Sequence, residues 1–511
     1  MAVTTGIKRV AIIGAGASGL AAARALLEER YFDTIKLFER NSVAGGLWNY
    51  TEYTDEDIRL PSVDPNVSNS PFVDADGNVK GWATAAYDAL VTNVPGAIMM
   101  YANPEYKKKH PLFLFRADVA AFLQAYAEAD DIRRLISYNT NVLDVRKDEK
   151  EWTVTHQETA SDAAVQKEKF DAVVVASGYF NVPFTPKVKG LEKYSEKFPG
   201  RVSHAKTFRT PDSYIGKTVL VVGNAASGTD IANQLVLVTG KKIYKSVRSE
   251  SNAPGAPDER IDEVSEIAEF REDGSIVLAD GKVLDDIDAV IYATGYLRSL
   301  PFLSEINKGD HPLITNGAYV HNLYLHFIYT EDPTLVLLGT LRFVLPFRVS
   351  QAQACYIARV WSGRLQLPPK PIMQHYEWKR FKEVGDSASF HDWMYPSDAD
   401  FCEFVYALCK LIDPQETKGL YPRRWTRDER TLRKNIGKLK SAFTKFLVEK
   451  NQYAADIEEL KKDGYFDGEL EPDEDEPDFS KFGKVVTGPE GYDEEEIQSA
   501  VSEINGNGLQ N

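Results

Sequence analysis

Two six-residue glycine turns are the segments of this sequence most able to do chemistry. Gly14-Ala15-Gly16-Ala17-Ser18-Gly19 has the G-x-G-x-x-G spacing. In that pattern the first glycine allows a tight turn, the second lets the backbone approach a pyrophosphate, and the third lets helix and strand pack closely. The pyrophosphate would then rest on the positive end of the following helix. Glu39 stands twenty residues beyond Gly19, where a carboxylate accepts hydrogen bonds from ribose hydroxyls. The second turn, Gly223-Asn224-Ala225-Ala226-Ser227-Gly228, carries alanine where the middle glycine is expected. A methyl group at Ala225 crowds the pyrophosphate and implies looser or more distant binding. Arg248 stands twenty residues beyond Gly228, with Lys245 and Ser246 beside it.

The residues at equal distance past the two turns therefore differ in charge. A carboxylate repels a 2′-phosphate, whereas a guanidinium pairs with one. The first turn is expected to bind FAD and the second NADPH in preference to NADH. Glycine turns also join strands to helices for purely structural reasons, and an isolated surface arginine is commonly just solvated. Glu39 is followed by Arg40 and then by Gly45-Gly46-Leu47-Trp48. That stretch reads either as a glycine turn with Trp48 as a packing anchor, or as the extension of the first site that a flavin would need.

Both turns sit in the elements such a site requires. Lys8–Ile13 reads as a strand, Ala21–Glu29 as a helix and Thr34–Phe38 as a second strand. The pattern recurs from Lys217, with a strand over Thr218–Val222, a helix over Thr229–Leu237 and a strand over Lys242–Val247. One nucleotide-binding half thus lies inside a larger one. Phe170–Ala176 and Asp288–Ala293 read as further buried strands, Asn141–Val145 and Glu151–His156 as a strand pair, and Ala117–Ala129 and Gln351–Trp361 as helices. Thr51–Lys80, rich in Asp, Pro, Asn and Ser, reads as a surface loop. Residues 400–460 read as helical.

The bulk numbers restrict the function classes. Apolar residues make up 43% and charged residues 27% of 511, the balance of an ordinary globular protein. The net charge of −16 is concentrated in Tyr465–Asn511, where fourteen acidic residues face only Lys481 and Lys484. That tail is expected to be disordered over at least its last half, and there is no basic nucleic-acid footprint. Cys355, Cys402 and Cys409 form no C-x-x-C and no metal-ligand spacing, so no metal site is expected. They suit a reducing compartment and lack the dithiol of a flavin-dependent disulfide reductase. No apolar run is long enough to cross a membrane, and the expected location is cytoplasmic.

Several further motifs, in order over roughly residues 8 to 450, give the chain a family resemblance. Phe198-Pro-Gly200-Arg-Val-Ser-His204-Ala-Lys-Thr-Phe208 fits F-x-G-x-x-x-H-x-x-x-(aromatic) between the two turns. Ala293-Thr294-Gly295-Tyr296, Tyr87-x-x-Leu90-x-Thr92-Asn93-x-Pro95 and Pro346-Phe-x-x-Ser350-Gln-Ala-Gln353-Ala complete the set with the Gly45–Trp48 stretch. The chain resembles the flavin-containing monooxygenases, nearest to their fungal, yeast-type branch. Its departures from the pattern are Ala225 and Ser177-Gly178-Tyr179 in place of the usual A-T-G-H.

The resemblance implies an α/β fold with two Rossmann-like dinucleotide-binding domains. The NADPH domain (181–296) is inserted within a discontinuous FAD domain (1–180 and 297–460, the latter with a helical C-terminal region), and the acidic tail (465–511) follows. It also implies that NADPH reduces FAD and that O2 is captured as a C4a-hydroperoxyflavin. One oxygen then passes to a soft nitrogen or sulfur of a small substrate. Gly14, Gly16, Ala17, Ser18, Gly19, Glu39, Arg40, Gly46, Leu47, Trp48, Leu90, Thr92, Asn93, Val142 and Gln353 would serve FAD. Gly223, Asn224, Ala225, Ser227, Gly228, Ser246, Arg248, Thr294 and Gly295 would serve NADPH. Asn93 would hydrogen-bond beside the reacting flavin, and His204 would hold the domain connection without acting as a base. Phe208-Arg209, in place of a Trp followed by Pro or Asp, disfavours a Baeyer–Villiger enzyme oxidising ketones. An NADPH oxidase or flavin-dependent reductase is the remaining alternative. The oligomeric state is left open, a homodimer included.

Overall fold

The computed structural model describes residues 6–54, 58–68, 70–101, 110–159, 163–248, 259–483 and 493–506. Its centre is a seven-stranded sheet in the order Leu323–Tyr324, Ile328–Tyr329, Leu335–Leu337, Ala172–Val175, Arg9–Ile13, Thr34–Phe38 and Ile136–Ser137. The last five are parallel, with Val10 opposite Ala172 and Ile12 opposite Leu37. Covered on both faces, the inner strands are continuous runs of β-branched and apolar residues, the composition parallel strands require.

A second sheet of five parallel strands runs Val202–His204, Ala289–Tyr292, Val219–Val222, Ile243–Ser246 and Ile261–Val264. In sequence it falls between Ala172–Val175 and Leu335–Leu337, which are neighbours in the first sheet. The second unit therefore interrupts the first, as the resemblance implies. The chain crosses between them twice, and the two crossings pair antiparallel, Val182 with Leu297 and Pro183 with Tyr296. A three-stranded meander, Thr140–Asp148, Glu151–Glu158 and Gln166–Phe170, lies beside the first sheet, and a smaller one over 267–284 beside the second.

The helical C-terminal region closes the first sheet. Helix Pro346–Trp361 is buried from Phe347 to Trp361 and packs along helix Ala17–Glu29. It begins five residues before the expected start, because proline is favoured at the first position of a helix, where its missing N–H is not needed. Buried charges in this layer are paired: Glu29 with Arg364 at 3.0 Å, and Arg430 with Asp400 at 3.0 Å and Asp473 at 2.6 Å. No helix among the described residues is long and apolar enough to cross a membrane.

Two segments differ from the sequence expectation. Within Thr51–Lys80 the short strands Phe72–Val73 and Val79–Gly81 pair as a hairpin. Within the acidic tail, Tyr465–Gly483 is anchored on the body by buried Asp473 and Phe482, and Glu494–Gly506 is a helix packed on helix Lys370–Val384. The expectation of disorder covered at least the last half of this tail, of which residues 484–492 and 507–511 lie outside the described residues. In the first half, Asp473 facing Arg430 and Phe482 inserted among Trp393, Phe401 and Phe404 supply contacts that composition does not reveal.

Candidate functional site

The first glycine turn is built by close packing of a strand end. Gly14 has φ +102°, and a Cβ there would lie 2.7 Å from the Ala176 carbonyl oxygen. A Cβ on Gly19 would lie 1.8 Å from the Gly14 carbonyl oxygen. Gly16 is different: its Cβ would meet only the Gly46 Cα, at 3.6 Å, an ordinary contact, so the protein itself does not require glycine there. The following helix, Ala17–Glu29, has no capping side chain and no acidic residue in its first turn. Its N–H groups and positive dipole end are thus left for an anion. Glu39 is buried, and its carboxylate accepts from the Ala15 N–H at 2.8 Å and from the Asn41 N–H and side chain at 2.8 and 2.9 Å. Burial raises its pKa, with the Asn41 and Ala15 N–H groups acting the other way. A carboxylate has about four acceptor sites, so one remains for a ribose hydroxyl. The Gly45–Trp48 stretch docks on this turn through a Gly45 N–H to Ala15 carbonyl bond of 3.0 Å.

The second turn repeats the construction. Gly223 has φ +120°, its Cβ would lie 2.6 Å from the Ala293 carbonyl oxygen, and that of Gly228 would lie 2.2 Å from the Gly223 carbonyl oxygen. Ala176-Ser177-Gly178-Tyr179 and Ala293-Thr294-Gly295-Tyr296 are therefore equivalent strand ends abutting equivalent turns. Helix Ala226–Val238 also lacks a capping side chain and a first-turn acid. Ala225, just before it, is exposed, so its methyl points at ligand space and not into packing. Past this turn Lys245 is bound to Glu263 at 2.8 Å and the Ser246 hydroxyl donates to the Ser265 carbonyl. Arg248 is exposed.

Both turns open into one cavity of about 2360 Å3, more than twice the roughly 300–1,000 Å3 of a single small-molecule pocket. Its wall includes Gly14, Gly16, Ala17, Ser18, Glu39, Arg40, Gly46, Leu47, Trp48, Leu90, Thr92, Asn93 and Val142 of the expected FAD set. It also includes Gly223, Asn224, Ala225, Ser227, Ser246, Arg248, Thr294 and Gly295 of the expected NADPH set, together with His204. Gly19 and Gly228 lie behind the turns and serve packing. Phe198, Gly200 and Phe208 also stand off the wall. Gln353 does not reach the cavity: it is buried in helix Pro346–Trp361 with both amide atoms unpartnered, so its expected flavin contact has no support in this geometry.

The remaining motifs converge on the strand Val91–Pro95. Asn93 is exposed to the cavity while Thr92 beneath it is buried. The Thr92 hydroxyl donates to the Val94 carbonyl at 2.8 Å and accepts from the Leu114 N–H at 3.0 Å. Its carbonyl accepts from Lys440 Nζ at 2.8 Å. The Tyr87 ring packs edge-on against Phe208, and its hydroxyl donates to Asp230 on the second-turn helix. Lys440 and Asp230 gave no signal in the sequence, since each is one charged residue in an amphipathic helix. His204 accepts from the Lys206 N–H on Nδ1 and donates from Nε2 to the Gly295 carbonyl at 3.0 Å. It thus joins the F-x-G segment to the second strand end. Burial lowers its pKa to about 3, leaving it neutral.

Two nucleotide cradles sharing one cavity define an oxidoreductase class, and comparison with known proteins fixes the family. The chain matches the family Flavin-binding monooxygenase-like over residues 7–69, 74–253 and 260–413, and it belongs to that family. A thiol-specific monooxygenase of Saccharomyces cerevisiae is 33% identical over 373 residues, covering 70% of this chain and 78% of that protein. Flavin-containing monooxygenase FMO GS-OX5 of Arabidopsis thaliana is 32% identical over 378 residues, covering 71% and 76%. Among solved structures, S-allyl-L-cysteine S-oxygenase from Allium sativum superposes with a TM-score of 0.69 at 25% identity, covering 90% of this chain and 97% of the other.

Two outcomes test this geometry. Gly19→Ala should destabilise the fold by roughly 1–3 kcal/mol through overpacking, read from the urea midpoint. Gly16→Ala should leave the midpoint of the flavin-free protein unchanged yet lose bound flavin; equal effects of the two substitutions on the flavin-free fold would contradict the packing described. For His204 the folded pKa lies below the unfolded value, so stability is intact above about pH 6.5 and falls as pH drops toward 3. Between pH 7 and pH 5 this residue should remove about 2 kcal/mol of stability. His204→Asn should show a pH dependence shallower by that amount.

Proposed function

We propose that the chain is an NADPH- and O2-dependent monooxygenase that transfers one oxygen atom to a soft nitrogen or sulfur of a small substrate: an amine, thiol or thioether. The observation that carries this reading is the charge difference between two equivalent turns in one cavity. Glu39 stands past the first and suits a ribose without a 2′-phosphate; Arg248 stands past the second and suits one with it. The names of the yeast and garlic relatives, a thiol-specific monooxygenase and an S-allyl-L-cysteine S-oxygenase, favour sulfur within that class. The buried thiols and the absence of a membrane-crossing helix among the described residues accord with a cytoplasmic location.

FAD, when bound, supplies the redox and oxygen chemistry of the reaction. The side chains of this protein bind, orient and exclude water. The turns Gly14–Gly19 and Gly223–Gly228 would hold the two pyrophosphates at helix ends, and the Ala225 methyl would crowd the second. Asn93 presents its amide to the cavity from a strand whose preceding residue, Thr92, is fixed through both hydroxyl and carbonyl. The amide can therefore donate a hydrogen bond at the reacting end without moving. Neutral His204 donates its one N–H to Gly295 and holds no proton for exchange with substrate. Substrate provides the nucleophile, so no acid–base pair is required of the protein. Phe208 is packed between Tyr87 and Tyr214, and Arg209 donates to the carbonyls of Lys206, Phe208 and Thr84. Both are committed to structure, which gives no support to a ketone-oxidising role for this segment.

Asn93→Ser should retain FAD and still oxidise NADPH, with sulfoxide or N-oxide replaced by hydrogen peroxide; unchanged product per NADPH would refute the role given to Asn93. Arg248→Ala should raise the KM for NADPH at least tenfold and leave that for NADH nearly constant. Equal increases would remove the 2′-phosphate assignment. Product measurement across a panel of thioethers, thiols, amines and ketones tests the substrate class, and turnover of ketones alone would overturn it.

A further inference from the structure

Four arginines among the described residues are more than nine-tenths buried: Arg298, Arg348, Arg359 and Arg430. Three are held by partners within the fold and stand off the cavity wall. Arg348 faces Glu429 at 3.3 Å and donates to the Arg424 carbonyl. Arg430 pairs with Asp400 and Asp473. Arg359 donates to the carbonyls of Cys355, Leu420 and Lys418. Arg298 has no carboxylate within ion-pair distance among the described residues, although its side chain hydrogen-bonds Tyr179. Its Nη2 donates to the Thr340 carbonyl at 2.6 Å, and its guanidinium sits 3.5 Å from the centre of the Tyr179 ring. Besides the Tyr179 hydroxyl, the carboxylate that acts on it is Asp392, held at 3.0 Å by Arg342, whose own charge opposes that of Arg298.

Arg298 is also the member of this set that lines the cavity. It borders both the main space and an adjoining recess of about 30 Å3 between Gly178, Ser299 and Gly339. Gly339 in turn abuts the first cradle, since a Cβ on it would lie 2.9 Å from Ser18 Oγ. A buried cation costs folding free energy unless an anion meets it, and burial lowers this one only to about 10, so it stays charged near neutrality. The carbonyl bond and the Tyr179 ring fix the guanidinium plane. A guanidinium is a planar set of N–H donors of the kind that matches a two-oxygen anion, and this one borders the cavity.

We propose that Arg298 is the receptor for an oxyanion inside the cavity, a phosphate or a carboxylate, bound in bidentate fashion. Two sources share that chemistry: the pyrophosphate of a dinucleotide cofactor, or the carboxylate of an acidic substrate. The second source rests on the monooxygenase reading above; the first requires only the two cradles.

The test compares wild type, Arg298→Met and Arg298→Lys as holoenzymes, after thermal melting has shown which variants fold. Three quantities are read: FAD retained per protein through gel filtration, NADP+ dissociation constant from the flavin spectrum, and dissociation constants of a thioether amino acid and its methyl ester by the same spectral change. A cofactor source predicts that the methionine variant loses FAD retention or at least tenfold in NADP+ affinity, with acid and ester affected alike. A substrate source predicts at least tenfold weaker binding of the acid, with ester, FAD and NADP+ unchanged. Because these are binding measurements, a failure to detect oxygenation would count against the proposed function without touching this inference. The lysine variant keeps charge but not the fork and should lose severalfold in the same quantity. A folded methionine variant that binds all three as wild type does overturns the proposal. If methionine does not fold, a folded lysine variant with wild-type binding overturns it equally.

Discussion

At both nucleotide turns a strand end comes so close to a neighbouring backbone that no Cβ fits between them. Ala176 lies against Gly14 and Ala293 lies against Gly223, and each turn then folds back on the glycine that starts its helix. The arrangement brings the ends of three elements to one point in each sheet: the first strand, the helix, and the strand ending in Ala176 or Ala293. Both turns open from those two points into the one cavity. The paired crossings Val182–Leu297 and Pro183–Tyr296 then join the two sheets, and His204 bonds the F-x-G segment to the second strand end at Gly295.

On this duplicated frame, difference comes from single charges. Glu39 is buried and satisfied by backbone N–H groups, which fixes a rigid acceptor at the first site. At the second, Lys245 is consumed by Glu263 while Arg248 stays exposed on the cavity wall. Coulombic preference for or against a phosphate follows from which charge the fold leaves available, and not from how many basic residues lie nearby. Arg298 extends the same logic to the middle of the cavity.

The wall carrying Asn93 is assembled from distant parts of the chain. Asp230 reaches it from the second-turn helix through Tyr87, and Lys440 reaches it from helix Ile436–Lys450 through the Thr92 carbonyl. Burial lowers the Lys440 pKa to about 8, with Asp230 opposing that shift. The amide of Asn93 is thus positioned jointly by both nucleotide units and the C-terminal layer.

The glycine turns, the strands that precede them and the residues twenty positions beyond were legible in the sequence, because each is a local pattern whose period or spacing is fixed by strand–turn–helix geometry. The order of the motifs carried the family and with it the insertion of one unit in the other. The tertiary structure alone decided which of those residues meet. Gln353 was placed in a motif but is buried off the cavity wall, with both amide atoms unpartnered. Asp230, Lys440 and Arg298 were silent, because their partners lie far along the chain and no local pattern records them. Composition marked at least the last half of the acidic tail for disorder, and in its first half Asp473 and Phe482 find a buried arginine and an aromatic cluster. Local spacing is written in one dimension and can be read there; burial, ion pairing and the direction of a side chain depend on neighbours that only folding supplies.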